Sequence, residues 1–328
     1  MKLLEDLTAI AALPGHEAPL RDYIENAVRS YATDITTDKM GNLIVHKQGR
    51  KDASKFMLSA HMDEIGVMVT FIDEKGYLRF TNLGYLYVER LSCRTVTFQN
   101  GVKGVIYCEE DADKSKLKIT NFYIDIGADT REEAQKLISV GEAGIIDGSF
   151  DVTGDRIISK ALDNRAGCYV LMKVLEQLQN PLYDCYFVFS SQEEVGLRGA
   201  RTAAYSVEPD YALAVDVTDT GDMKGVKPMA VDLGKGAAIK VKDRGIISHK
   251  AMVDHLLRIA REKDIPYQME VMEDGATDAG EIHLTKSGVI TGGISIPTRY
   301  IHSPAEMCDK KDLESCVTLI EAALSEAI

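Results

Sequence analysis

Seven residues of metal-binding or acid–base type stand where apolar runs of the sequence end or a helical pattern begins. His61 follows the run at 56–60, and Asp63 comes two residues later (SAHMDE). Glu193 and Glu194 (SSQEEVG) follow the run at 183–190. Asp216 closes YALAVD, His302 (YIHSP) follows the run through Ile296, and Asp163 (ALDNR) sits at the start of a helical pattern. Each alone is weak. An HxD pair can be a core imidazole held by an acid, Glu-Glu in a loop is commonly solvated charge, and an acid at a helix start is commonly an N-cap. Asp216, beside five apolar residues, is harder to dismiss, because an ionised carboxylate there needs a partner.

Taken together, the set is chemistry-bearing. Two imidazoles with three carboxylates suit zinc, cobalt or manganese, whereas magnesium and calcium prefer all-oxygen shells. No cysteine lies near the set, which speaks against a structural thiolate zinc site. Five ligands exceed what one tetrahedral ion needs. A shared carboxylate would let two ions sit about 3.5–4 Å apart, as in two-metal hydrolases, and leave one carboxylate free as a general base for water.

The positioning elements follow from pattern. Residues 56–60, 183–190, 211–217 and 288–296 read as strands, and the second of these as buried on both faces. Helical spacing covers the first residues (Leu3, Leu4, Leu7, Ile10), then 18–32, 130–140, 163–179, 254–263 and 311–328. Residues 38–46 read as a turn through Gly41 into a strand. From about 66 to 154 the texture changes to short β-like pieces between Gly- and acid-rich turns. The expected architecture is an α/β/α sandwich of residues 1–65 plus 155–328, interrupted by a small β-rich insert over 66–154. In open α/β sheets, ligands gather beyond the carboxyl ends of strands, which is where these acids and imidazoles fall.

Composition narrows the class. The chain has 328 residues, a net charge of −13, 45% hydrophobic and 27% charged residues. An acidic balance argues against nucleic acid as a partner. No run approaches the roughly 20 apolar residues of a membrane span, and Glu5 and Asp6 break the first apolar stretch in a way a signal peptide does not. A cytoplasmic protein is the expectation. The six cysteines form no CxxC pair and read as buried free thiols.

At these residues the sequence resembles the tetrahedral aminopeptidases, the glutamyl or deblocking aminopeptidases of peptidase family M-forty-two, some relatives of which carry the label endoglucanase. The resemblance rests on SAHMDEIG (59–66), SKALDNRAG (159–167), SSQEEVGLRGA (190–200), the strand ending at Asp216, GATDAGEIH (275–283) and IPTRYIHSPAE (296–306), which run in family order over nearly the whole chain. It implies a zinc-peptidase-like fold with a β-rich dimerisation insert. It also implies His61 and Asp216 on one ion, Glu194 and His302 on the other, and Asp163 between them. Asp63 would orient His61, Glu193 would be the general base, and the ions would be two zinc or cobalt, with manganese as a further option. The substrates would be short peptides, and the assembly a homo-oligomer, a dodecamer or else a dimer.

Competing readings are a related metal-dependent carboxypeptidase or deacylase and a silent scaffold. The scaffold would have lost a ligand or the base, yet every position is filled. A glucanase would need two carboxylates about the sugar bond and no metal pair. His16 and Glu17 read as part of an N-terminal turn, and His249, His255 and His283 as surface or packing residues. LGKGAA (233–238) lacks P-loop spacing and reads as a tight turn near the site.

Overall fold

Runs that alternate in burial and runs buried throughout sort the chain into two sheets. The computed structural model describes residues 1–328. Its helices are α1 Lys2–Ala9, α2 Ala18–Val28, α3 Arg131–Leu137, α4 Leu162–Gln177, α5 Arg198–Val207, α6 Lys250–Glu262, α7 Ala279–Ile282 and α8 Lys310–Ser325. The strands begin with β1 Asp34–Thr37, β2 Leu43–Lys47, β3 Lys55–His61, β4 Gly66–Ile72, β5 Leu78–Leu83, β6 Thr95–Phe98, β7 Lys103–Cys108, β8 Phe122–Asp125 and β9 Ala143–Ile146. They continue with β10 Phe150–Thr153, β11 Arg156–Ser159, β12 Asp184–Ser190, β13 Tyr211–Thr218, β14 Ala237–Lys242, β15 Tyr267–Val271, β16 Ile290–Arg299 and β17 Glu306–Asp309.

The larger sheet has eleven strands, with the main order β1-β2-β12-β3-β13-β16-β17-β11-β10 and with β14 and β15 branching from β16. Its centre, β12-β3-β13-β16, is parallel. Parallel strands are covered on both faces, and β12 shows how the sequence achieves this. Cys185, Phe187 and Phe189 enter the core shared with α1, α2, α4, α6 and α8, while Val188 points the other way, against Ala200, Ala203, Ala204 and Val207 of α5. Helices therefore lie on both faces, an α/β/α sandwich. On α4 the face expected from the spacing, Val170, Leu171, Val174, Leu175 and Leu178, is fully buried.

The second sheet is a closed barrel, β4-β5-β8-β7-β6-β9, with its own core of residues such as Val67, Leu78, Phe98, Phe122 and Ile124. Hydrogen bonding returns to the large sheet at β10, which pairs with β11, a few residues before the break at 154 read from composition. The α6 helix begins at Lys250, earlier than its apolar spacing indicates, because the His249 side chain caps it by accepting the Ala251 amide. All six cysteines are free. Five are buried, but Cys93 is exposed, a departure from the buried-thiol reading, because it lies in the turn before β6 with φ of +64°.

One buried cation ties the N-terminal segment to the sandwich. The Arg165 side chain on α4 is 0% exposed. It donates to the carbonyls of Met62, Leu7 and Ile10 and to Glu64 at 3.0 Å. Glu64 also accepts from Lys160 at 2.7 Å. Breaking a buried pair on one side leaves an uncompensated charge, so Arg165→Ala is expected to destabilise the fold by about 3–5 kcal/mol. Urea denaturation checks this; a loss below about 1 kcal/mol, the scale of an exposed pair, would contradict it.

Candidate metal centre

Parallel strands of one sense deliver their carboxyl ends to one edge of the sheet, and the register fixes how far each reaches. His61 closes β3 directly opposite Ser190 of β12, so Glu193 and Glu194 emerge just beyond it. Asp216 on β13 stands opposite Ser295 of β16, and the chain leaving β16 turns to present His302. Asp163 arrives from the other direction, at the start of α4, where its backbone and that of Asn164 are not helical. Asn164 anchors this start, donating to the Val215 carbonyl and accepting the Gly167 amide. Asp163 is thus no N-cap.

The candidate residues converge. The His61 imidazole Nε2 lies 3.1 Å from Asp163 Oδ1, 3.6 Å from Asp216 Oδ1 and 3.8 Å from Glu193 Oε2. The His302 imidazole Nε2 lies 3.3 Å from the other Asp163 oxygen and 3.4 Å from Glu194 Oε2. Two donor groups result, His61–Asp163–Asp216 and Asp163–Glu194–His302, each with its ligand atoms within 4.8 Å of one another. Asp163 belongs to both. Glu194 Oε1 is buried without any hydrogen-bond partner, and no lysine or arginine reaches these four acids. A divalent cation fits this donor set: it would answer the orphaned oxygen and the unpaired charge together.

The loop behind β12 is held amide by amide. Ser191 N donates to Asn42 Oδ1, Gln192 N to Glu17 Oε1, Glu193 N to Asp63 Oδ1 and Glu194 N to Asp63 Oδ2, at 2.9–3.1 Å. Glu17 is thus more than part of a turn. Asp63 places its carbonyl oxygen 3.0 Å from His61 Nδ1; its carboxylate is 3.6 Å from that nitrogen and serves the two glutamate amides. Two further acids complete the surroundings. Glu306 accepts the amides of Asp163 and His302, both at 2.9 Å. Asp278 accepts the hydroxyls of Ser59 and Ser190, both at 2.6 Å. Both lie inside recognisable segments, but their partners are backbone amides and hydroxyls, which leave no trace in spacing.

The other residues weighed from sequence lie elsewhere. His249 caps α6, His255 is buried with Nε2 3.1 Å from the Ala323 carbonyl, and His283 Nδ1 is 2.9 Å from the Ala279 carbonyl. The LGKGAA turn closes on α8, where the amides of Gly234 and Gly236 donate to Asp312. It takes no part in the site. The site opens into a cavity of about 990 Å³ whose further walls include Tyr85, Tyr87, Thr218, Lys240, Arg244 and Met272.

Burial and crowding shift the titrations. Burial opposes charge on His61, yet Glu193, Asp216 and Asp163 outweigh it and hold the imidazole well above its usual 6.5. Burial likewise opposes charge on His302, and Glu194 with Asp163 outweighs it. Burial pushes Asp216 up to about 6 against the pull of His61, and pushes Glu193 and Glu194 up as well. Asp163 is pushed up by burial but pulled further down by hydrogen bonds from His302 and His61, to below the usual carboxylate range.

A family model described as M42 glutamyl aminopeptidase matches residues 41–319. A putative aminopeptidase of Acetivibrio thermocellus is 47% identical over 325 residues, covering 98% of this chain and 97% of its own. Among solved structures, an aminopeptidase from the archaeon Desulfurococcus kamchatkensis superposes with a TM-score of 0.95 at 39% identity, over 99% of this chain and 94% of that one. The TET1 peptidase of Pyrococcus horikoshii, which can assemble into a tetrahedron or a large octahedral shell, gives 0.90 at 32% identity over 99% of both chains.

The raised groups have a consequence for the metal-stripped protein. Folded, it holds protons that the unfolded chain has released, so its stability falls as pH rises, from about 4 to 6 through Asp216 and above 6.5 through the imidazoles. Asp163 acts oppositely only below about pH 4, and His255, away from the site and lowered by burial, acts oppositely near pH 6.5 as one imidazole against two. The stripped protein is expected to melt lower at about pH 8 than at about pH 6, and zinc to close that gap, because metal and protons compete for the same atoms. Calorimetry at the two pH values, with and without zinc, is the check; a stripped protein more stable at the higher pH would contradict the assignment.

Proposed function

The chain belongs to the M42 glutamyl aminopeptidase family and is a peptide hydrolase, and from this and the site geometry we propose that it removes N-terminal residues from short peptides with two divalent ions and Glu193 as general base. The observation that carries the reading is the division of the Asp163 carboxylate, one oxygen toward His61 and the other toward His302. His61 and Asp216 would hold one ion, Glu194 and His302 the other, and Asp163 both. Nitrogen and carboxylate ligands suit zinc, cobalt or manganese. Such ions, when bound, polarise the scissile carbonyl and acidify water.

The chain's own residues do the rest. Glu193 is buried beside His61 and has its backbone fixed by Asp63. Its raised pKa, from burial first and then from Asp216 and Glu194 against the pull of His61, suits a group that takes a proton from the attacking water and returns it to the departing amine. The Asp63 carbonyl orients the His61 ring. For assembly we propose a homo-oligomer, a dodecamer or a dimer, built through the barrel over 66–154. Phe71 and Tyr107 stand exposed there, and the TET1 peptidase is a precedent for large shells. No helix is long and apolar enough to cross a membrane; a cytoplasmic location is part of the proposal.

The test is hydrolysis of aminoacyl-p-nitroanilides and their N-acetylated forms by chelator-stripped protein restored with zinc, cobalt or manganese. Metal-dependent cleavage of free-amine substrates alone is expected. Cleavage of the acetylated forms would turn the reading toward a deacylase, and no cleavage despite bound metal toward a scaffold. Glu193→Gln is expected to lower kcat by about 10²–10⁴-fold with metal content unchanged. Wild-type kcat in that variant would remove Glu193 from its role.

A further inference from the structure

Of the two donor groups, the one containing His302 is the less securely built by the fold. The His61 side chain is 2% exposed and sits at the end of a central strand, whereas the His302 side chain is 22% exposed and sits on the connection between β16 and β17. Tyr300 and His302 both have positive φ, +61° and +59°, in that connection. Such backbone is not self-supporting in residues with side chains and persists when neighbours hold it.

What holds it is Glu306. This residue opens β17 and pairs with Ser159 of β11, so its backbone is rooted in the large sheet. It is 1% exposed. One carboxylate oxygen, Oε1, accepts the His302 amide and the other, Oε2, accepts the Asp163 amide. Asp63 does a similar thing for the adjacent amides of Glu193 and Glu194. Glu306 differs in joining two segments that are remote in sequence and meet at the second donor group. It touches no ligand atom.

We propose that Glu306 is a positioning residue that sets the spacing of Asp163 and His302, and through it the affinity of the ion these two share with Glu194. The inference rests on the two-ion reading above. A carboxylate suits the task because it turns two acceptors toward two N–H donors. Glutamine keeps the volume but presents an NH2 group to one of those donors, so one amide is released. Aspartate keeps both acceptors and withdraws them by one methylene.

The experiment is cobalt titration of the chelator-stripped full-length chain, followed by visible absorption, for wild type, Glu306→Gln and Glu306→Asp. Circular dichroism and melting temperature are measured in parallel. Wild type is expected to take up two ions. Glu306→Gln is expected to keep one at near wild-type affinity and to bind the other about 10–100-fold more weakly, with an altered absorption band for that second equivalent. Glu306→Asp is expected to lie between. Wild-type titration in both variants would overturn the proposal. So would equal weakening of both ions, or failure of both variants to fold, since either makes Glu306 a general structural residue. A wild-type chain that binds no metal would instead refute the two-ion reading.

Discussion

Four carboxylates, those of Asp163, Glu193, Glu194 and Asp216, meet two imidazoles at one edge of a parallel sheet with no lysine or arginine among them. Several other buried acids of the molecule are answered inside the protein. Glu64 has Lys160 and Arg165, Glu270 has Lys240, and Asp312 has two glycine amides. The central set has no such answer, and desolvated carboxylates in contact are costly unless a cation or protons neutralise them. Protons are what the isolated chain can supply, which is why its imidazoles are held charged and Asp216, Glu193 and Glu194 are held toward neutrality. The divalent ions proposed above would meet the same need and add Lewis acidity. The chemistry and the folding problem therefore have a common origin.

A cluster of that kind would spread apart if its backbone were free. The structure prevents this mainly through amides. Four consecutive N–H groups, from Ser191 to Glu194, are each taken by a side chain from another part of the chain, and Glu306 takes two more. Charge-assisted hydrogen bonds from backbone N–H to carboxylate are among the stronger kind; all but the one to the Asn42 amide oxygen are of this kind, and the acceptors are themselves rooted. Asn42 sits just before β2, Asp63 just after β3, and Glu306 on β17. The clustered side chains are thereby preorganised, as a metal site of precise geometry would require.

This division explains what could be read from the sequence. Strands β3, β12, β13 and β16 are written as apolar runs, and the residues at their ends are of ligand type, so both the parallel centre and the convergence of His61, Glu193, Glu194, Asp216 and His302 were legible. Asp163 alone looked like a cap and entered the set by conjunction; its place between two ions came from the resemblance. The supports were illegible. Glu306, Asp278, Glu17 and Asn42 act on amides and hydroxyls far away in sequence, and nothing in residue type announces such a partner. Helix α5 was hidden for another reason. Its buried face is Gly199, Ala200, Ala203, Ala204 and Val207, small residues that let it lie close to the sheet but lack the large apolar side chains by which a core face is recognised.

The barrel is not a passenger on this arrangement. It interrupts the chain between His61 and Asp163, yet one of its connections returns to the site. Gly84, directly after β5, has φ of +74°, and a Cβ there would fall 2.7 Å from Glu194 Oε2 and 2.8 Å from Ile65 Cγ2. Glycine thus meets two demands at once, left-handed backbone and close approach to the Glu194 carboxylate. Beyond it Tyr85 stands 6.2 Å from the His302 ring and edge-on to Tyr87 at 5.0 Å. The Arg90 guanidinium lies 4.1 Å over Tyr87 and donates to the carbonyl of Ile301, next to His302. Contacts on both Glu194 and the His302 connection come from this one segment. Residues 84–90 thus join the barrel to the second donor group by direct contact.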